Sequence, residues 1–184
     1  CCRERVISMT KSACFVIAIK GTSGSGKSTL ARALVKELGD AVLLYLDDYD
    51  RLPTSKYPAD IEQWLKDGAD RNLCETPQLV QDIQALQRGE AISSLNNSDE
   101  LSPASFVIVE DPHGREREVF KPLYDFVIAV DTPFDITLAR RLLRRSEDAS
   151  FVEHPDEFGK YVITALNRYL DRLRNFYLVI NTRL

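Results

Sequence analysis

The sequence predicts an α/β fold in which a five-stranded parallel sheet is covered by helices on both faces and carries a small lid. Three observations lead there. Short apolar runs rich in β-branched residues alternate with stretches of helical periodicity, the βαβ rhythm of a parallel sheet. A glycine-rich string, "KGTSGSGKST" (Lys20–Thr29), follows the first apolar run directly and opens the first helical pattern. The 184 residues, 44% of them hydrophobic, suit one compact domain with a sizeable core, so residues 1–184 are read as a single domain.

The elements follow in chain order. Residues 1–13 are expected to form a ragged tail. Within it Cys1–Ser8 precede the only methionine, Met9, and receive no function, and "CCRERVIS" lacks the apolar centre of a signal peptide. Strands are expected at Phe15–Ile19, Val42–Leu46, Phe106–Val109, Phe126–Val130 and Tyr177–Ile180. Helix one begins at Lys27, buries Leu30, Ala33, Leu34 and Leu38, and ends at Gly39. Leu79, Ile83 and Leu86 repeat that pattern before Gly89. In "DTPFD" Thr132 can cap a third helix, Pro133 is preset for its first turn, and Asp135 stands three residues after the cap. A last long helix carries Phe158, Val162, Leu166, Leu170 and Leu173 on one face. Between the second and third helices, "SSLNNSDELSPAS" (Ser93–Ser105) reads as a mobile surface loop.

Composition excludes several function classes. With 24 basic and 28 acidic residues the net charge is −4, without the basic footprint of a nucleic-acid binder. No apolar run approaches the roughly 20 residues that span a bilayer. The four cysteines, Cys1, Cys2, Cys14 and Cys74, include no C-x-x-C pair and no disulfide framework, which fits a reducing compartment, so a cytoplasmic protein with small-molecule partners is expected.

The glycine string carries the chemistry. Strand, G-x-x-x-x-G-K-S and helix stand in the order that a phosphate-binding P-loop requires. Its glycines, Gly21, Gly24 and Gly26, let successive backbone N–H groups turn toward phosphate oxygens, and the helix N-terminus behind adds partial positive charge. Gly21, Thr22, Ser23, Gly24, Ser25, Gly26, Lys27, Ser28 and Thr29 are therefore expected to cradle a nucleoside triphosphate. Lys27 would reach the β- and γ-phosphates, and the Ser28 hydroxyl would help hold Mg2+.

Ligands in open α/β sheets sit outside the carboxyl ends of the strands. Strand two delivers "DDYD" there. Asp47 is the candidate base for an attacking hydroxyl, and Asp48 a candidate metal carboxylate. Strand three ends in Glu110, expected in the metal shell, and Asp111. In "ARRLLRR" (Ala139–Arg145), helical spacing puts Arg140, Arg141, Arg144 and Arg145 on one arc and Leu138, Ala139, Leu142 and Leu143 on the other. The basic arc leads into "SEDASFVEHPDEF", so a lid is placed at roughly 144–157, with Arg141 and Arg145 favoured for neutralising the transferred phosphoryl group. His113 and His154 are isolated and read as surface residues rather than metal ligands.

These strings resemble the P-loop kinases of the uridine kinase, nicotinamide riboside kinase and phosphoribulokinase group. "GTSGSGKSTLARAL" is similar to that group's phosphate loop, "LDDYD" to its strand-two motif, "FVIVED" to its strand-three "EG" motif, and "DFVIAVDTPFDITLARRLLRR" to its fourth strand and lid-bearing helix. "TPQLVQDIQALQRGEAI" is similar to the segment before strand three, so the resemblance covers most of Phe15–Ile180. It implies the P-loop NTPase fold, ATP with Mg2+, and transfer of the γ-phosphoryl group to a hydroxyl of a nucleoside or ribosyl metabolite. Asp47 would then be the base and Glu110 a metal ligand.

The sequence departs from that pattern where Asp111 stands in place of the glycine after the strand-three glutamate, which puts the geometry around Glu110 in question. In "YPADIEQWLKDGAD" and just before it, Tyr49, Tyr57 and Trp64 are candidates for stacking on a base, and Asp60, Asp67 and Asp70 for binding ribose hydroxyls. Alternative readings are a kinase of pantothenate, glycerate or a phosphosugar, a nucleotide switch or ATPase acting on a protein, and a kinase that binds nucleotide without turnover. The N-K-x-D and L-S-G-G-Q strings of GTPases and transporter ATPases do not occur.

Overall fold

The computed structural model describes residues 14–96, 99–147 and 155–168. β1 (Phe15–Gly21) alternates apolar side chains to both faces, as a central strand buried on both sides must. Val16 and Ala18 point to one core, with Leu79, Ile83, Leu86, Phe120 and Tyr124. Ile19 points to the other, under α1 (Lys27–Leu38). β2 (Ala41–Tyr45), β5 (Phe106–Glu110) and β6 (Phe126–Val130) join it in the order β2-β5-β1-β6, every pair parallel. The sheet has four strands among the described residues; the fifth expected strand, 177–180, lies outside them.

The helices cover both faces as expected, with differences that have physical causes. In α1, Ala31 and Val35 face the sheet with Leu30, Leu34 and Leu38, while Ala33 is exposed. α4 (Pro77–Gln87) buries Leu79, Ile83 and Leu86 completely. α5 (Phe134–Ser146) starts one residue later than expected, so that Pro133 rather than Thr132 is in the cap position and no side chain caps it; the Thr132 hydroxyl donates to the Ser25 carbonyl at 2.9 Å. Its supposed core arc is shallow: Leu143 is 64% exposed and Ala139 is exposed, while Thr137 is the buried contact. α6 (Pro155–Arg168) carries Phe158 and Val162 half-buried and Leu166 exposed; Leu170 and Leu173 lie outside the described residues.

Two connections are more structured than expected. The loop placed at Ser93–Ser105 contains an antiparallel pair, β3 (Ile92–Ser93) with β4 (Glu100–Leu101). After β2 the chain makes one helical turn, α2 (Leu46–Tyr49), which takes Leu46 from the expected strand and carries Asp47 and Asp48, and α3 (Ile61–Lys66) follows. The segment expected to be a lid opens as the last turn of α5 and closes as the first turn of α6, and its centre, 148–154, lies outside the described residues. No described helix is long and apolar enough to cross a membrane.

Candidate active site

A cleft of about 1110 Å³ opens at the carboxyl ends of the strands, lined by every residue from Lys20 to Leu30 and by Asp47, Glu110, His113, Arg140 and Arg144, among others. Its floor is the turn between β1 and α1. Gly26, at φ +107°, occupies the left-handed region just before α1, and Gly24, at φ +88°, does so against α5. A Cβ on Gly24 would stand 2.6 Å from the Thr137 carbonyl oxygen, so only glycine lets α5 close onto this turn.

Lys27 reaches back over the turn it follows. Its ammonium donates to the Thr22 carbonyl at 3.1 Å and stands 3.7 Å from Glu110 Oε1. Burial lowers the Lys27 pKa, and the Glu110 and Asp47 charges oppose that shift. The register explains the proximity, since Glu110 is paired with Ile19 of β1 and with Tyr45 of β2, one residue short of the turn that carries Asp47. Four polar atoms of cleft residues are buried without a protein partner: Thr22 Oγ1, Ser25 Oγ, Glu110 Oε2 and His113 Nδ1. Buried polar groups are normally satisfied, and four orphans in one cleft fit a polar ligand's place.

The sequence-expected residues divide clearly. Lys27, Asp47, Glu110, Ser28 and the rest of Gly21–Thr29 all line the cleft. Asp48 does not; it accepts a hydrogen bond from Asn96 Nδ2 at 2.6 Å, which turns it toward the loop joining β3 to β4. Among the arginines it is Arg140 and Arg144 that line the cleft, not Arg141 and Arg145. Arg140 Nη1 reaches the Gly24 and Ser25 carbonyls at 3.4 and 3.3 Å. Arg141 packs its stem near Gly24, and Arg145 lies over the Tyr161 ring. The helix meets the phosphate loop one residue earlier in each pair than the arc alone indicated.

The acceptor-side candidates are mostly structural. Tyr49 is buried and donates to Asp82; Trp64 is buried and donates to the Asp70 carbonyl; Asp60 caps α3; Asp67 and Asp70 accept from neighbouring Gln63 and Asn72. Tyr57 is 39% exposed and donates to Asp50. Two residues that the sequence did not assign to the site line the cleft. Lys20, whose alternation on β1 was the available signal, donates to Glu116 at 2.8 Å. His113, expected at the surface, is largely enclosed; burial pushes its pKa down to about 4, and its Nδ1 has no partner. Asp111 is fully buried and turned away from the cleft. For holding Mg2+, Ser28 and Glu110 fit, because that ion is usually bound through one or two protein oxygens and completes its shell with phosphates and water.

Residues 17–154 match the family model described as "AAA domain". The chain is 31% identical over 176 residues to a protein named uridine kinase from Leuconostoc citreum, covering 88% of this chain and 79% of that protein. A uridine kinase of Staphylococcus aureus is 28% identical over 171 residues, covering 86% and 77%. A solved structure from Silicibacter sp. TM1040, provisionally named a fructose transport system kinase, superposes with a TM-score of 0.54 at 16% identity, covering 94% of this chain and 87% of that one, and shows the shared fold.

Proposed function

Since the chain belongs to the P-loop kinases related to uridine kinase, we propose that it transfers the γ-phosphoryl group of ATP to a hydroxyl of a nucleoside or ribosyl-type metabolite. The observation that carries this reading is the convergence of Lys27, Ser28, Asp47 and Glu110 on one cleft at the strand ends.

In this reading the backbone N–H groups of the phosphate loop hold the β-phosphate, and Lys27 exchanges its contact with the Thr22 carbonyl for phosphate oxygens. Asp47, exposed in the cleft on its own short turn, accepts the proton of the attacking hydroxyl. Arg140 and Arg144 approach from α5 to offset charge on the transferred group. Ser28 and Glu110 would hold Mg2+, which would supply further charge neutralisation at the phosphates. Asp111 does not obstruct this arrangement, because its carboxylate is turned into the core.

A kinase of pantothenate, glycerate or a phosphosugar is the second reading of the acceptor, and Lys20 in the cleft wall does not favour it, because Glu116 already holds that ammonium at 2.8 Å.

The test is an ADP-release screen with ATP and Mg2+ against uridine, cytidine, nicotinamide riboside, pantothenate, glycerate and several sugars, with Lys27→Ala as the blank. A nucleoside-dependent rate absent from the blank is expected. Rates equal to the blank with every acceptor, while ATP still binds, would overturn the kinase reading in favour of a switch or ATPase.

A further inference from the structure

The chain leaving β5 passes Glu110 and then buries a charge. Asp111 has no exposed surface; its N–H donates to the Ile19 carbonyl at 3.1 Å, and its carboxylate accepts from Arg117 Nη2, the Tyr124 hydroxyl and the His113 N–H, each at 2.8 Å. Arg117, 1% exposed, continues outward: its Nη1 donates to Thr76 Oγ1 at 2.8 Å and to the Cys74 carbonyl at 3.2 Å. Thr76 is the residue before α4, and its hydroxyl, which would otherwise cap that helix, is committed to Arg117. The neighbouring residues repeat the tie, with Glu116 3.5 Å from Arg71 and the Glu118 N–H donating to Asn72 at 2.8 Å.

Such a pair is not needed for stability alone, because a buried ion pair can often be replaced by apolar residues of similar size without loss. What it supplies is geometry. An arginine fork fixes planar, directed contacts, and here they join two distant pieces of chain. On one side Asp111 sits between Glu110 and His113, both of which line the cleft. On the other, 71–76 closes the segment that carries α3, held by the Trp64, Ala69 and Cys74 cluster and by the Lys56–Glu75 bridge.

We propose that Asp111 and Arg117 form a positioning pair that couples the Glu110 edge of the phosphate cleft to the 57–76 segment, so that occupancy of the cleft is felt at 71–76. This rests on the reading of the cleft as a nucleotide site. Neither residue touches the reactants; both act through Glu110, His113 and Thr76.

Hydrogen exchange of the full chain with and without AMP-PNP and Mg2+ tests the coupling without requiring an acceptor. In the wild type, nucleotide is expected to slow exchange both in the phosphate loop and in 70–76, the latter by about five-fold, the lower end of ordinary coupling between sites. In the Asp111→Leu, Arg117→Met double variant the slowing should persist in the phosphate loop and vanish in 70–76. Thr76→Val, which removes only one acceptor of Arg117, should reduce it and serves where the double variant does not fold. Equal protection of 70–76 in wild type and variants, or none in a wild type whose phosphate loop is protected, overturns the coupling. A wild type with no protection anywhere overturns the nucleotide reading and the coupling with it.

Discussion

Replacing His113 by glutamine should remove a specific slice of acid sensitivity. The imidazole sits beside Asp111 with Nδ1 unpartnered, and burial is the main cause that pushes its pKa down from 6.5 to about 4. The unfolded chain therefore takes up a proton below about pH 6.5 that the folded protein refuses until about pH 4. Folding stability falls as pH drops through that window, and above it, where both states are neutral, His113 contributes no pH dependence. Each pH unit of mismatch is worth about 1.4 kcal/mol, so the penalty is roughly 2 kcal/mol at pH 5 and on the order of 3 kcal/mol at pH 4. Urea unfolding of wild type and His113→Gln at pH 7.5, 6 and 5 measures it, since the carboxylates common to both cancel in the difference. The variant should gain on the wild type steadily below pH 6.5. Two stability curves that run parallel from pH 7.5 to 5 would refute the reasoning and mean that His113 is solvated or finds a partner for its charge.

Three further outcomes follow from single contacts. Asp47→Asn should bind AMP-PNP within about two-fold of wild type by calorimetry while phosphoryl transfer falls about 10²- to 10⁴-fold, the usual contribution of a positioned base; near-normal turnover would remove Asp47 from that role. Gly24→Ala puts a methyl group 2.6 Å from the Thr137 carbonyl at φ +88°, so melting temperature and AMP-PNP affinity should both drop, and an unchanged variant would show that α5 does not close on the loop as described. Ile83→Ala, in the fully buried face of α4, should cost about 2–5 kcal/mol in urea unfolding with little change in nucleotide affinity measured on the folded protein.

The parts of the molecule that were legible in the sequence are those governed by local rules. Strand cores from β-branched runs, the start of α1 at Lys27 and its stop at Gly39, and the buried triplet of α4 all follow from periodicity and glycine placement. So does the arrival of Asp47 and Glu110 beside the phosphate loop, because parallel strands deliver their carboxyl ends to one edge. What was not legible depends on partners distant in sequence. Thr132 looks like the cap of α5, but the helix starts one residue later with Pro133 in that position, and the Thr132 hydroxyl donates to Ser25, 107 residues away. The four arginines are equivalent on a helical wheel, and only the approach of α5 to Gly24 singles out Arg140 and Arg144. Asp60, Asp67 and Asp70 look like a recognition surface, yet each is used for a cap or a turn within a few residues. Asp111 looked like a disturbance beside Glu110 and is instead satisfied by Arg117 and Tyr124, which the chain supplies 6 and 13 residues later.

The parallel register gives the cleft a fixed ruler. Glu110 is the last rung shared with both neighbouring strands, opposite Ile19 on one side and Tyr45 on the other. Removing one residue from β5 would slide that carboxylate about 3.3 Å along the ladder and turn it to the opposite face, away from Lys27. Spacing at this edge is thus counted in whole peptide units, which no rotamer change can make up. Mutations within the strands can alter how firmly the ruler is held, but only insertions and deletions can change where it reads zero.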